Sequence, residues 1–438
     1  MSPFLPPNDP QRLALHNEVH ARPSANVNLP ALITFVAVLN EGVARSDEWD
    51  MLRQLPGQHD LDLAALEGNF LRLQLPGYTL KWERHTEFTR YSIVQALPDG
   101  AGLARPEPPL AADCLAPQGW LARLPGTTIA AIELAMMNSE LADPTQLMQA
   151  ARSWLGGGAV VASQMGQRPT GNGHSWVLTD FEVRADGVER MLVLCEPGTT
   201  VMRAGRISQR LLEFETYRLM ALRGLPVAKA LGPMLGEAES MLATITARME
   251  GQVASDPQLL EQLVALAARI ERATAQHSYR FAASQAYFTL VGQRLAELRE
   301  KPIPGTQTLG EFMQRRLSPA LATVAATAQR MASLSERVAR TSALLRTRVD
   351  IATELQNQQL LAQLTRGQAL QLRLQSTVEG LSIAAITYYV VSLLLYGAKA
   401  AKAAGLPVQP EVAVGALIPL VLWAVWRTLR GIHAQIKL

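Results

Sequence analysis

The chain has 438 residues, a formal net charge of +3, 48% hydrophobic residues and two cysteines, Cys114 and Cys195. That length leaves room for more than one domain. The modest charge argues against nucleic acid as the main partner, and the two cysteines fit a reducing compartment and form no metal-ligand spacing.

The first residues, MSPFLPPNDPQRLALHNE, have no basic-then-apolar pattern and no small-residue cleavage site, so no signal peptide is expected. LHNEVHARP then brings His16, Glu18 and His20 together, and RHTEF brings His85 and Glu87. A spacing of two in an extended segment places His16, Glu18 and His20 on one face, whereas a helix would pair only His16 with His20. Imidazole plus carboxylate suits zinc or another transition metal; the alternative is a set of hydrogen-bonded packing groups. HNEVH is not the HExxH metalloprotease pattern, whose glutamate directly follows the first histidine, so no enzyme is expected.

Up to about Arg203, short apolar runs alternate with Gly and Pro. ALITFVAVL, FLRLQL, YTLKWERH, TRYSIVQA, TTIAAIEL, GAVVASQM, SWVLTDFEV and ERMLVLCE read as strands, with turn signals at Leu75 to Tyr78 and Ala185 to Gly187. PTQLMQAARSWL reads as a helix among them, which makes an α/β domain with a mixed sheet over residues 1–204.

After Arg203 the strands are expected to stop and strong helix formers take over. Pro226 and Pro233 interrupt a first helical region, Asp256-Pro257 starts a second, and PIPG at Pro302 to Gly305 precedes a third. Residues 205–306 thus form a cytosolic helical pair, and 307–380 a long stalk helix. From Leu309 to Tyr396 the only proline is Pro319, so one helix of the order of 120 Å is expected to continue into a membrane.

The end of the chain, residues 381–438, holds two apolar segments, Leu381 to Ala398 and Val412 to Trp426. The first, at about 18 residues, matches a ~30 Å hydrocarbon core; the second, at about 15, is short for one. Tyr396 and Trp426 stand where interfacial rings stand. Arg366 and Arg373 before the hairpin, with Arg427, Arg430 and Lys437 after it, outnumber Lys399 and Lys402 between the segments. That bias places both termini in the cytoplasm and the loop outside.

Steps of three and four along the long helix trace one seam that includes Asp350, Glu354, Gln368, Gln371, Gln375, Ser382, Tyr389, Ser392 and Tyr396. Most of it is polar, as the lining of a water-filled axial path would be. The alternative is a solvated stalk face whose Ser and Tyr hydroxyls bond neighbouring helices. Upstream, RAGRISQRLLEFETYRLM pairs Arg210 with Glu213 and Glu215 with Arg218 as surface ion pairs; Arg206, Gln209 and Arg210 are alternatively placed to meet a phosphate or a neighbouring subunit. No Walker loop and no GxGxxG after a strand supports nucleotide binding.

LALHNEVHARP, RHTEFTRY, and AGRISQRLLEFETYRLMAL with the following Leu225 and Pro226 resemble the signature segments of an uncharacterised bacterial membrane-anchored family, a domain of unknown function. The resemblance spans essentially the whole chain and implies an inner-membrane protein with a large cytosolic region. In element order the chain is also similar to CorA-type magnesium transporters, homopentamers whose first span lines the pore. Their Gly-Met-Asn signature corresponds here to Gly397, Ala398 and Lys399 after Tyr396. A lysine at the outer mouth, beside Gly397, repels cations, so magnesium selectivity does not carry over.

The expectation is therefore an α+β membrane protein of CorA-like build in the bacterial inner membrane. It is a homo-oligomer, with a pentamer favoured, whose partners are the bilayer and its own copies. Its role is that of an ion channel or transporter of undetermined selectivity, and the only cofactor in view is a divalent metal ion. The alternative is a non-conducting scaffold displaying the cytosolic domain.

Overall fold

The structure, a computed structural model, describes residues 9–12, 15, 26–97, 117, 119–140, 143–156, 158–166, 174–251, 256–405, 407 and 409–436. The chain divides into two units, Met1–Gly251 with Glu261–Thr341, and Gln252–Leu260 with Ser342–Leu438.

The first unit is built on a sheet. In chain order its strands are β1 (Ala31–Leu39), β2 (Phe70–Leu75), β3 (Tyr78–Arg84), β4 (Phe88–Ala96), β5 (Thr127–Asn138), β6 (Val161–Met165), β7 (Ser175–Val183), β8 (Glu189–Cys195) and β9 (Lys301–Pro302). They lie in the order β2-β3-β4-β1-β5-β8-β7-β6-β9. Every ladder is antiparallel except β5 with β8, so the sheet is mixed as expected. Hairpin β2–β3 closes between Leu75 and Tyr78, where Gly77 supplies a φ of 86°.

Strand alternation gives the sheet two unlike faces. Leu73, Leu80, Trp82, Tyr91 and Ile93 occupy one face, covered by helix α1 (Arg45–Arg53) through Met51 and Leu52 and by Leu55, Leu66 and Trp120. Further along, Leu32, Ala135, Trp176, Leu178, Leu192 and Leu194 pack with Met148, Ala151 and Trp154 of helix α2 (Pro144–Leu155). Burying this many large apolar side chains, at 1.5–3 kcal/mol each by the order-of-magnitude rule, is the main term holding the domain together. The opposite face carries charges and meets helix α3 (Val201–Leu222), whose N-cap Thr200 accepts from the Arg203 backbone N–H.

Helices α4 (Gly224–Gly251), α5 (Asp256–Leu298), α6 (Leu309–Ala403) and α7 (Pro410–Ile436) follow. α5 starts at Asp256 and α6 at Leu309, as the proline punctuation indicates. Three expectations are corrected. Pro233 lies inside a continuous α4 instead of breaking it. The strands do not end at Arg203, because Lys301–Pro302 returns to the sheet and pairs with Ser163 and Gln164 of β6. The expected boundary at residue 204 also falls inside α3, which lies on the sheet.

Helices of the first unit approach closely at Gly224, where a Cβ would stand 2.5 Å from Ser284 Oγ of α5 and 3.2 Å from Val324 Cγ1 of α6. Ion pairs Arg269–Glu237 and Arg330–Glu239, both at 2.7 Å, tie α5 and α6 to α4. On α6 the buried residues Met313, Leu317, Leu321, Val324, Met331, Leu334, Val338 and Leu345 keep a helical spacing.

Past Leu345, in the second unit, that burial ends. Leu355, Leu361, Leu364, Leu370, Leu374 and Leu381 are all more than half exposed, and between Ile351 and Gly380 every residue but the half-buried Glu379 is exposed. Arg348 holds Asp256 at 3.0 Å. Among the described residues two helices, α6 and Pro410–Thr428 of α7, are long and apolar enough to cross a membrane.

Candidate functional site

The charged sheet face under α3 holds a buried ionic network. Register places Glu83 of β3 directly across from Arg90 of β4, and Lys81 across from Ser92. Lys81 and Glu83 share a face because they are two residues apart, while Leu80 and Trp82 point to the apolar side. Arg90 donates from Nε to Glu83 at 2.5 Å and from Nη2 to Glu213 of α3 at 3.2 Å. Lys81 Nζ lies 3.0 Å from Glu83, and Arg294 of α5 donates to Glu213 at 2.5 Å.

Their ionisation follows from this geometry. Burial pushes the Glu83 carboxyl up, but the Arg90 charge and hydrogen bond, with Lys81, outweigh it and hold the group at about 2. Burial likewise works against ionised Glu213, and Arg90, Gln209 and Arg294 bring it below the usual carboxylate range. Lys81 goes the other way: loss of water pulls its ammonium below the ordinary lysine value despite Glu83.

Beside the network lies a cavity of about 310 Å³. Ile33, Phe35 and Leu212 make its apolar wall; Arg72, Lys81 and Arg90 supply cationic groups, and Asn26, Asn28, Gln74 and Gln209 supply amides. Its size is at the lower end of small-molecule sites, and its polar groups converge as such sites require.

A second buried cluster sits where α3 crosses β8. Arg218 binds Glu215 through both Nε and Nη2 and lies 3.6 Å from Glu189. Burial, then the Glu215 charge, drives the Glu189 carboxyl up to about 8, with Arg218 opposing. The reading of RISQRLLEFETYR as a surface-paired helix is thereby corrected. Glu215 does meet Arg218, but Glu213 and Glu215 are both buried, and Arg210 pairs with Glu297 at 2.9 Å instead of Glu213. A helix wheel shows neighbours on the helix; it does not show that the sheet covers them.

The expected metal set is only partly in view. His16, Glu18 and His20 lie outside the described residues. His85 stacks on Phe88 at 4.5 Å between ring centres. Glu87 receives two hydrogen bonds from Arg280 Nη2, at 2.7 and 2.8 Å, with Arg223 at 3.8 Å. Its oxygens therefore serve guanidinium groups, and among the described residues no three His, Cys, Asp or Glu side chains gather as a metal site.

The seam of α6 is uncovered within one protomer. Asp350, Glu354, Gln368, Gln371, Gln375, Tyr389 and Tyr396 are exposed, Ser382 and Ser392 half-buried, and Gly397 and Lys399 exposed at the far end. Thr387, the most buried side chain of this stretch, is off the seam and returns its hydroxyl to the Ile383 carbonyl.

The network residues were reachable in part from the sequence. Lys81, Glu83 and Arg90 stand at alternate positions of two adjacent strands, a parity that places them on one face; which face is covered depends on α3. The network residues come from YTLKWER, RHTEFTRY and RISQRLLEFETYR, the last two within stretches that carry the family resemblance. A family model described as a protein of unknown function (DUF3422) matches residues 7–436. The chain belongs to that family. No curated protein and no solved structure matches it. The similarity to CorA-type transporters expected from element order is not shown by these comparisons.

Proposed function

We propose that the chain is a two-span inner-membrane protein with both termini in the cytoplasm, which self-associates along α6 and conducts ions along the axis so formed. The observation that carries this is the polar seam from Gln368 to Tyr396, which stays uncovered on a helix whose apolar neighbours are exposed as well. A lone helix with that surface does not hold itself in water or lipid. Copies packed around an axis would bury Leu364 and Val378 and turn the glutamines and tyrosines inward. A five-fold ring is the favoured stoichiometry. Lys399 at the outer end selects against magnesium-like divalent cations.

Lys399 and the cavity beside Lys81 and Arg90 favour a second reading, a non-conducting anchor that displays the α+β domain as a binding module. Ion flux into liposomes separates the two. Under the conducting reading the purified protein passes monovalent ions, and Gln371→Leu with Gln375→Leu lowers the flux several-fold while oligomer size is kept. Impermeable liposomes at every ion tested, with the oligomer intact, leave the anchor.

A further inference from the structure

Along α3, Arg203, Arg206 and Arg210 recur at intervals of three and four, the spacing that stacks side chains on one face of a helix. They line a pocket of about 360 Å³ whose other walls are Met165 and Gly166 at the end of β6, His174 before β7, and Glu297 to Arg299 at the end of α5. Four arginines and one glutamate line it. Glu297 is already shared, by Arg210 at 2.9 Å and by Arg294 at 2.9 Å. Arg203 approaches Glu196 only to 3.9 Å. Arg206 and Arg299 are exposed, and among the described residues neither side chain has a hydrogen bond or ion pair.

The backbone around the pocket is tightly held. Arg299 holds a left-handed φ of 50°, uncommon outside glycine, just past the end of α5. The Gly166 N–H donates to the Leu298 carbonyl at 3.0 Å and ties that turn to the sheet. Gly166 itself has a φ of 83°, and a Cβ there would stand 2.0 Å from His174 Nε2, so only glycine lets the imidazole close this wall.

Guanidinium groups held close together repel one another, and the matching ligand is a compact multiply charged oxyanion, which planar N–H forks bind in bidentate fashion. The geometry points to a phosphate-binding site, formed by Arg203, Arg206, Arg210 and Arg299, for the terminal phosphate of a small molecule or a lipid headgroup. It is separate from the cavity beside Lys81 and independent of whether α6 conducts.

The test is titration calorimetry on the full chain in detergent, with inorganic pyrophosphate in one arm and short-chain phosphatidic acid in the other, against short-chain phosphatidylcholine. Saturable binding is expected, weakened about tenfold or more in Arg206→Gln/Arg299→Gln, and unchanged in Arg315→Gln/Arg316→Gln, which removes the same charge from exposed positions on α6. Binding of pyrophosphate assigns the site to soluble phosphates, and binding of phosphatidic acid alone assigns it to lipid. Because both substituted arginines are exposed and unpaired, the variant keeps its fold, which its thermal midpoint checks. No saturable binding in either arm, or equal losses in both double variants, overturns the proposal.

Discussion

Arg90 lies across the β3–β4 ladder from Glu83 and reaches over it to Glu213 on α3, so one guanidinium joins the sheet to the helix that covers it. Arg90 is the cation that these two buried carboxylates share. Arg90→Ala would leave Glu83 to Lys81 alone and Glu213 to Arg294 and Gln209, with one hydrogen bond fewer on each buried carboxylate. The expected cost is about 1–3 kcal/mol, read as a drop in the thermal midpoint of the purified protein. A midpoint within a degree of the parent would show that the network contributes nothing.

The pH dependence of stability carries two signatures of opposite sign. Glu83 titrates near 4.5 when unfolded and at about 2 when folded, so its contribution is whole above 4.5 and is lost as pH falls toward 2. Glu189 titrates near 4.5 unfolded and at about 8 folded. Between those values the folded chain keeps a proton that the unfolded chain has released, so stability falls as pH rises through that window. Glu189→Gln cannot ionise. It should match the parent near pH 4.5 and exceed it at pH 9, and a constant offset across that range would contradict the assignment.

At Gly224 α4 comes close to both α5 and α6. Gly224→Ala places a methyl 2.5 Å from Ser284 Oγ and 3.2 Å from Val324 Cγ1 and is expected to destabilise by about 1–3 kcal/mol. Ser284→Gly in the same chain removes the nearest contact and should restore most of the loss. Failure of that rescue would place the cost elsewhere.

How much of this was legible in the sequence depended on the range of the forces involved. Period-two alternation in YTLKWER and the short apolar run in SWVLTDFEV are local signals, and those strands stand where the signals put them. α1 is harder to see because its charge-rich run RSDEWDMLR offers only Trp49, Met51 and Leu52 as apolar contacts. β9 has two residues, one of them proline, and no pattern to read; it pairs because the α5–α6 connection returns to β6. The burial of Glu213 and Glu215 required knowing that α3 lies on a sheet, and nothing within the helix itself reports that.

Self-association along α6 predicts which positions meet across copies. In a background with Cys114→Ser and Cys195→Ser, Gln371→Cys should form disulfide-linked dimers under mild oxidation, whereas Arg373→Cys, about 200° around the helix, should not. Equal cross-linking at both positions would remove the seam as the axis.

Gathering of α6 copies around the seam from Gln368 to Tyr396 is visible in a cryo-EM reconstruction of the full chain in lipid nanodiscs. The expected result is a closed ring, five-fold by preference, with Gln371, Gln375, Tyr389 and Tyr396 facing a continuous hydrated path. A monomer, or a ring with those side chains turned to lipid and the axis sealed, would contradict it.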